Sequence, residues 1–164
     1  SRNTRNCCGN AWRNNMKTYK VTIYPSGFFN KTPPRSNQDM FNRVWTHFVI
    51  DGRPRCVVRE NFCAYRAVLD GEDQGCAIGC VLPDKLAKKA GQFELSSITS
   101  IFRKNGKSAE SIQSWFRNVN FELLVSLQHA HDNSSSTTIS NHLKRVAHKF
   151  KLKIPTRRSS AGRT

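Results

Sequence analysis

Apolar residues first recur at helical spacing just after residue 36. Met40, Val44 and Phe48 are four residues apart, and aromatic residues lie beside them, so one broad apolar stripe is predicted to face a core. Ser36 precedes this stripe as a good N-cap, and Asp39 stands three residues later in the capping-box position. The pattern therefore predicts that the folded domain begins with an amphipathic helix.

The pattern changes from helical to extended further along the chain. Two apolar runs flank the polar segment 70–75, which predicts an antiparallel β-hairpin. Cys63 lies in the first run, whereas Cys76 and Cys80 share one face of the second run if that run is extended. Pairing would then bring Cys63 close to Cys76 or Cys80, and Gly79 would permit a bulge or a close backbone approach.

Helical periodicity returns after Pro83, which is well placed to start a short helix that ends near Gly91. Asn120 and Thr138 are the expected N-caps of the last two helices. The fold class predicted from these patterns is α+β, with a small antiparallel β-hairpin packed against four to six helices. The predicted helical segments are 83–90, 98–102, 112–119, 121–131 and 138–150.

Positive charge is concentrated at the two ends of this chain of 164 residues. Of the formal net charge of +16, +7 lies in residues 1–37 and +6 in residues 149–164, and neither segment contains an acid. Such polar, basic segments bury too little apolar surface to offset chain entropy. We therefore predict a flexible basic arm over 1–37, one globular domain over 38–152 and a flexible basic tail over 153–164. Because methionines stand at Met16 and Met40, we interpret the first fifteen or the first thirty-nine residues as a candidate extension.

The composition of the chain predicts the cellular compartment in which the protein is found. No stretch approaches the roughly 20 apolar residues that span a membrane, and no apolar segment follows the basic start as in a secretory signal. We expect no membrane partner and an intracellular protein. The six cysteines are then interpreted as thiols or metal ligands rather than as a disulfide framework.

Three sequence motifs resemble those of a known protein family. The segments CAYR (63–66), GCAIGCVLPD (75–84) and LQHAHD (127–132) resemble, in the same order, an uncharacterised family of small proteins of tailed bacteriophages and prophages. The resemblance covers about two-thirds of the chain, from Gln38 to Leu152. It implies a phage-type accessory protein made in the cytoplasm of a bacterial host, and it implies no activity.

The Cys and His residues of these motifs allow two chemical hypotheses. A zinc site would use Cys63, Cys76, Cys80 and His131, with His129 as a substitute, since thiolate and imidazole both bind zinc. The simpler alternative is that the thiols pack in the core and that no cofactor is bound. A Cys/His-dependent enzyme would need His131, oriented by the adjacent Asp132, to activate a thiolate, although neighbouring helical residues need not face one another.

The basic residues favour a binding function. Cationic segments attract nucleic acid by neutralising phosphates and releasing counterions. Arg66 could contact a phosphate, or could pair on an exposed strand with Glu72 or Asp73. We predict a non-enzymatic protein that binds nucleic acid or a host nucleic-acid-handling protein, with a structural zinc module or an enzyme as alternatives. The candidate nucleic-acid contacts are Arg35, Arg66, Lys144, Arg145, Arg157 and Arg158.

Overall fold

The computed structural model of this protein describes residues 32–59, 62–69, 72–91, 93 and 97–156. Within these residues it contains six α-helices and two antiparallel pairs of short strands, so the α+β prediction is confirmed. The helices are α1 (Asn37–Trp45), α2 (Asp84–Gly91), α3 (Ile98–Arg103), α4 (Lys107–Trp115), α5 (Phe121–Asp132) and α6 (Ile139–Lys149). The strands are β1 (Val57–Arg59), β2 (Phe62–Cys63), β3 (Arg66–Leu69) and β4 (Glu72–Gly75).

Helix α1 begins where the sequence predicts. The Ser36 hydroxyl accepts a hydrogen bond from the Asp39 N–H at 3.2 Å, and the Asp39 carboxylate accepts one from the Arg35 N–H at 2.9 Å. One backbone donor in the first helical turn and one just before it are thereby satisfied. The predicted stripe is buried, and the helix continues as a π-helical turn over Thr46–Ile50. The chain then leaves the helix at Gly52, whose φ of +63° favours glycine.

The β3–β4 hairpin differs from the prediction in its length and register. Arg66 pairs with Gly75 and Leu69 pairs with Glu72, so only two residues connect the strands instead of the predicted segment 70–75. Asp-Gly at 70–71 is the dipeptide favoured in two-residue hairpin turns, which explains why the polar residues that follow it can join the ladder. The prediction that 70–75 forms the connection is therefore wrong.

The second cysteine-containing segment is not a strand. The Cys80 N–H donates to the Cys76 carbonyl at 2.9 Å, and a 3₁₀ turn follows over Gly79–Val81. The prediction that Cys76 and Cys80 share a strand face is wrong, because β4 ends at Gly75 and the backbone then coils. Cys63 instead pairs with Val57 of β1.

The later helices begin close to their predicted caps. The Asn120 side chain accepts a hydrogen bond from the Glu122 N–H at 2.7 Å and caps α5. Thr138 precedes α6 but does not cap it, because its hydroxyl accepts from the Ser135 N–H at 2.8 Å. The helices pack around a single cluster of buried side chains that includes Met40, Val44, Trp45, Ile78, Leu82, Leu124, Leu127, Leu143 and Val146.

The segment after α6 lies against the start of α1. The Gln38 side chain accepts a hydrogen bond from the Lys153 N–H at 2.8 Å and donates one to the Lys153 carbonyl at 2.7 Å. These two bonds mimic a strand pairing and hold the segment in place. Lys153, four residues after the end of α6, therefore lies beside the start of α1.

Candidate functional site

The glycines of the second motif allow close packing onto the first. A Cβ atom on Gly79 would overlap the Tyr65 carbonyl oxygen, which also accepts a hydrogen bond from the Cys76 N–H at 3.1 Å. A Cβ atom on Gly75 would lie only 2.9 Å from the Cys80 nitrogen. The predicted close backbone approach at Gly79 is therefore confirmed, and it joins the first two motifs.

Arg66 makes a second connection between the same motifs. Its side chain is only 1% exposed; Nη1 lies 2.6 Å from Asp84 Oδ1, and Nη2 donates to the Leu82 carbonyl at 2.6 Å. Arginine is suited to this position because its planar group can donate to both acceptors while remaining charged. The predicted exposure of Arg66 on the strand is wrong, because its guanidinium is buried against Leu82 and Asp84. The predicted phosphate contact by Arg66 stays a prediction.

The thiols of Cys76 and Cys80 are buried beside these contacts. Burial raises the pKa of both, that of Cys80 to about 12, because a thiolate would lose its hydration. The Cys76 sulfur accepts a hydrogen bond from the Gly79 N–H at 3.2 Å, and the Cys80 thiol donates to the Ala77 carbonyl at 3.5 Å. Both side chains thus favour the neutral form, which is a poor nucleophile and a poor metal ligand.

The described residues do not bring the predicted zinc ligands together. Among them, no group of three or more His, Cys, Asp or Glu side chains is arranged to hold a metal ion. The Cys63 side chain lies outside the described part, so the set of Cys63, Cys76, Cys80 and His131 stays a prediction. His129, the suggested substitute, lines a groove between α5 and α6.

The third motif places His131 inside the domain and Asp132 at its edge. His131 is fully buried against the Phe48 ring, and its Nδ1 lies 3.0 Å from Asp132 Oδ1. Gln128 donates to the same carboxylate oxygen at 2.7 Å. Burial nevertheless lowers the pKa of His131, so the loss of hydration outweighs the attraction of Asp132. The His131–Asp132 contact that the enzyme hypothesis required is therefore present, with the imidazole buried and the Asp132 side chain 40% exposed at the end of α5.

A groove between α5 and α6 presents cationic and hydrogen-bonding side chains at the surface. Helices α5 and α6 form a helical hairpin, and the groove between them has a volume of about 400 Å³. Apolar side chains and cationic or hydrogen-bonding side chains both contribute to its walls. They are Val125, Ser126, His129, Ala130, His142, Arg145, Val146 and Lys149.

The charge in this groove has one sign. No carboxylate lines it, and the ion pairs found among the described residues use Asp39, Asp84 and Asp132 instead. Lys149 Nζ lies 3.5 Å from the Ser126 hydroxyl, and Arg145 is exposed one turn earlier on α6. Residues 133–164 contain eight Lys/Arg and no Asp/Glu, so α6 and the segments on either side of it carry no counter-charge of their own, and the acids of α5, Glu122 and Asp132, are not among the groove-lining residues.

The predicted basic residues fall in several places. Arg145 lines the groove, and Lys144 is exposed beside it on α6. Arg35 is exposed on the segment before α1. Arg157 and Arg158 lie outside the described residues, so their contribution stays a prediction.

Of the polar residues that line this groove, only Arg145 was predicted from the sequence as a nucleic-acid contact. His142 and Lys149 stand three residues before and four residues after Arg145, and this helical spacing was a usable signal. The contribution of Ser126 and His129 could not be found in the same way, because it depends on how α5 packs against α6. The groove is therefore a tertiary feature.

Comparisons with protein-family models, curated proteins and solved structures each found no match to this chain. Among the helices that the structure describes, none has the length and apolar character needed to cross a membrane.

Proposed function

We propose that this protein is a non-enzymatic accessory module that binds nucleic acid through the cationic surface of α6 and through its basic terminal segments. The observation that carries the proposal is the one-signed charge of the α5–α6 groove. Arg145 and Lys149 are placed one helical turn apart on a rigid element, and neither has a carboxylate partner among the described residues. Phosphate groups are the natural counter-charge for such an arrangement.

The placement of the other basic residues supports the same function. Because Gln38 holds Lys153 beside the start of α1, the basic segments before residue 32 and after residue 156 connect to the domain near one another. Together they carry nine of the 27 Lys/Arg residues and no acid. Charge from both segments can therefore act on the same ligand.

Binding is favoured over the two chemical alternatives by the environment of the motif residues. An enzyme would need a reactive thiolate, and burial instead favours neutral thiols at Cys76 and Cys80. A zinc module would need an assembled ligand set, for which the described residues give no support. The motif side chains described above already have structural roles, because Arg66 and Gly79 join the hairpin to the following turn and α2, and His131 packs α5 against Phe48.

The cellular setting belongs to the same proposal. The resemblance of the three motifs to small phage and prophage proteins supports a phage-type protein that acts in the cytoplasm of a bacterial host. Nucleic acid is abundant there, and host proteins that handle nucleic acid are the alternative partner. Direct binding is the simpler hypothesis because cationic side chains can contact phosphates without a specific protein surface.

The test is fluorescence anisotropy with labelled single-stranded and duplex oligonucleotides over a series of salt concentrations. We expect the logarithm of the affinity to fall linearly with the logarithm of salt, with a slope of about −3 or steeper if four or more phosphates are neutralised. Binding should be strongest at low salt, so its absence at about 50 mM salt would contradict the proposal. So would a slope near zero, because it would remove the electrostatic basis.

A further inference from the structure

We propose that the α5–α6 groove is a binding site for one nucleotide unit of a single nucleic-acid strand, with a phosphate held by Arg145 and Lys149. This inference rests on the proposed function and assigns it a specific site and ligand class. The strand can be DNA or RNA, since both carry the same phosphodiester group and exposed bases.

The phosphate end of the site is defined by α6. Arg145 and Lys149 are four residues apart, which separates their Cα atoms by about 6 Å along the helix axis. Both side chains line the groove, and Lys149 Nζ already lies 3.5 Å from the Ser126 hydroxyl of α5. A phosphate between the helices can therefore accept hydrogen bonds from two cations and one hydroxyl.

The two cations repel each other, and a bound anion would offset this repulsion. Like charges at i and i+4 of a helix repel each other and destabilise it. No carboxylate lines the groove to offset the repulsion between Arg145 and Lys149. A bound phosphate would convert this repulsion into two charge-assisted contacts.

The remaining walls suit a base. His129 and His142 contribute imidazole rings from the two helices, and Val125 and Val146 add apolar surface. Unstacked bases bind by stacking on aromatic rings, including histidine, and by covering apolar surface. The groove volume of about 400 Å³ falls within the range of pockets that hold one small ligand.

These features favour a single strand over a duplex. A base in a duplex is stacked between its neighbours, so it cannot reach His129 and His142 while its phosphate contacts Arg145. In a single strand the base can leave the stack and enter the groove. A duplex could contact the cationic side chains only through its phosphates, without placing a base in the groove.

The experiment compares full-length variants at pH 7.5 with matched charge removal elsewhere. R145Q/K149Q removes both groove cations, whereas K85Q/K88Q removes two exposed cations from α2 and is the control. Gln keeps a helix propensity close to that of Arg and Lys, so both variants should fold, as thermal denaturation will verify. The probes are fluorescein-labelled oligothymidylate, oligouridylate, a duplex of the same length and an abasic strand.

We expect R145Q/K149Q to weaken binding of oligothymidylate and oligouridylate by about tenfold or more and to reduce the salt slope by about 1.4. K85Q/K88Q should change the affinity by less than about twofold, as expected for a charge outside the site. H129A/H142A should weaken binding of strands with bases by about tenfold, within the range measured for stacking contacts, and leave the abasic strand unaffected.

Three results would overturn the assignment, and they have different meanings. If the wild-type protein binds none of the probes, the proposed function and the groove site fail together. If it binds single strands and R145Q/K149Q behaves like the control, nucleic-acid binding stands and the groove is wrong. If the duplex binds more tightly than single strands and H129A/H142A has no effect, the groove is not a nucleotide site.

Discussion

At the scale of single residues, the motif residues make close contacts, so few other residues could replace them. Gly79 lies against the Tyr65 carbonyl, and Arg66 donates to acceptors at both Leu82 and Asp84. Cys80 is buried in the 3₁₀ turn between these contacts. Residues that resemble a chemical signature are thus used for packing and hydrogen bonding.

Gly79→Ala should be strongly destabilising. Its Cβ atom would overlap the Tyr65 carbonyl, and backbone atoms cannot move aside as a flexible side chain can. We expect a loss of about 3 kcal/mol or more in the free energy of unfolding, measured by urea denaturation. The control is Gly91→Ala, where the added Cβ meets nothing within 4 Å and should stabilise by roughly 0.4–1 kcal/mol. Equal stability of the two variants would show that the backbone approach at Gly79 is wrong.

Substitution of Cys80 separates packing from metal binding. Ser is close in size and can keep the donation to the Ala77 carbonyl, so we expect Cys80→Ser to fold with a modest loss of roughly 1–2 kcal/mol. His is much larger and should overpack the buried turn, with a loss of about 3 kcal/mol. Thermal denaturation combined with metal analysis checks this order. Stoichiometric zinc that is retained by Cys80→His and lost from Cys80→Ser would favour the zinc hypothesis instead.

His47 should make stability depend on pH. Loss of hydration, with smaller contributions from Arg53, His131 and Arg66, lowers its pKa to about 3 in the folded protein. In the unfolded chain the pKa of His47 is near 6.5, so the unfolded state binds the proton more readily than the folded state. The free energy of unfolding therefore falls as the pH decreases below about 6.5. From pH 7.5 to pH 5.0 this should cost roughly 2 kcal/mol.

The measurement is urea unfolding of the wild type and His47→Gln at both pH values. The variant should lose less stability on acidification, whereas His148→Gln, a change at an exposed residue, should behave like the wild type. An identical pH dependence in the wild type and His47→Gln would show that His47 is not held in its neutral form.

At the scale of elements, helices were predicted better than strands because their signals are local. Ser36 and Asn120 cap their helices through bonds to residues two or three positions away, and Pro83 directly precedes α2. The hairpin depended on a register that apolar alternation did not fix, and the short run after Gly75 was compatible with either a strand or a turn. The partner of Arg66 was also missed, because Asp84 is eighteen residues away and meets it only after α2 has packed.

The Arg66–Asp84 pair should control how firmly α2 is attached to β3. Asp84→Asn removes the negative charge that pairs with the buried guanidinium, and we expect a loss of about 2–3 kcal/mol, less than for a fully enclosed pair because Asp84 is 27% exposed. Asp39→Asn removes a pair with Arg43 within one helix and should cost under about 1 kcal/mol.

Hydrogen exchange distinguishes attachment from overall stability. Asp84→Asn should speed exchange first in α2, since local opening there becomes easier while α5 and α6 keep their packing. Uniform loss of protection over all helices, or no loss in α2, would contradict a local role for the pair.

At the scale of the whole molecule, the domain has an apolar core with a buried Arg66–Asp84 contact, and an exterior whose positive charge is unevenly distributed. The positive charge along the sequence predicted that this protein has a cationic binding surface. It could not show that α5 and α6 together form a groove. Residues 32–156 carry 18 Lys/Arg and 11 Asp/Glu, a formal charge of +7 compared with +16 for the full chain. The terminal segments should therefore contribute much of the affinity, whereas the groove should determine which strand is preferred.

Removal of residues 1–31 and 157–164 tests this division. The core cluster and the Gln38–Lys153 bonds lie within residues 32–156, so we expect the shortened protein to keep its melting temperature within a few degrees, as for changes that remove no core contact. Its affinity for oligothymidylate should fall by about tenfold or more, with a less steep salt dependence, because fewer counterions are released. The ratio of single-strand to duplex affinity should persist, since Arg145, Lys149 and the groove are unchanged. Equal affinity and an equal salt slope in the two proteins would show that the terminal charges do not contact the ligand.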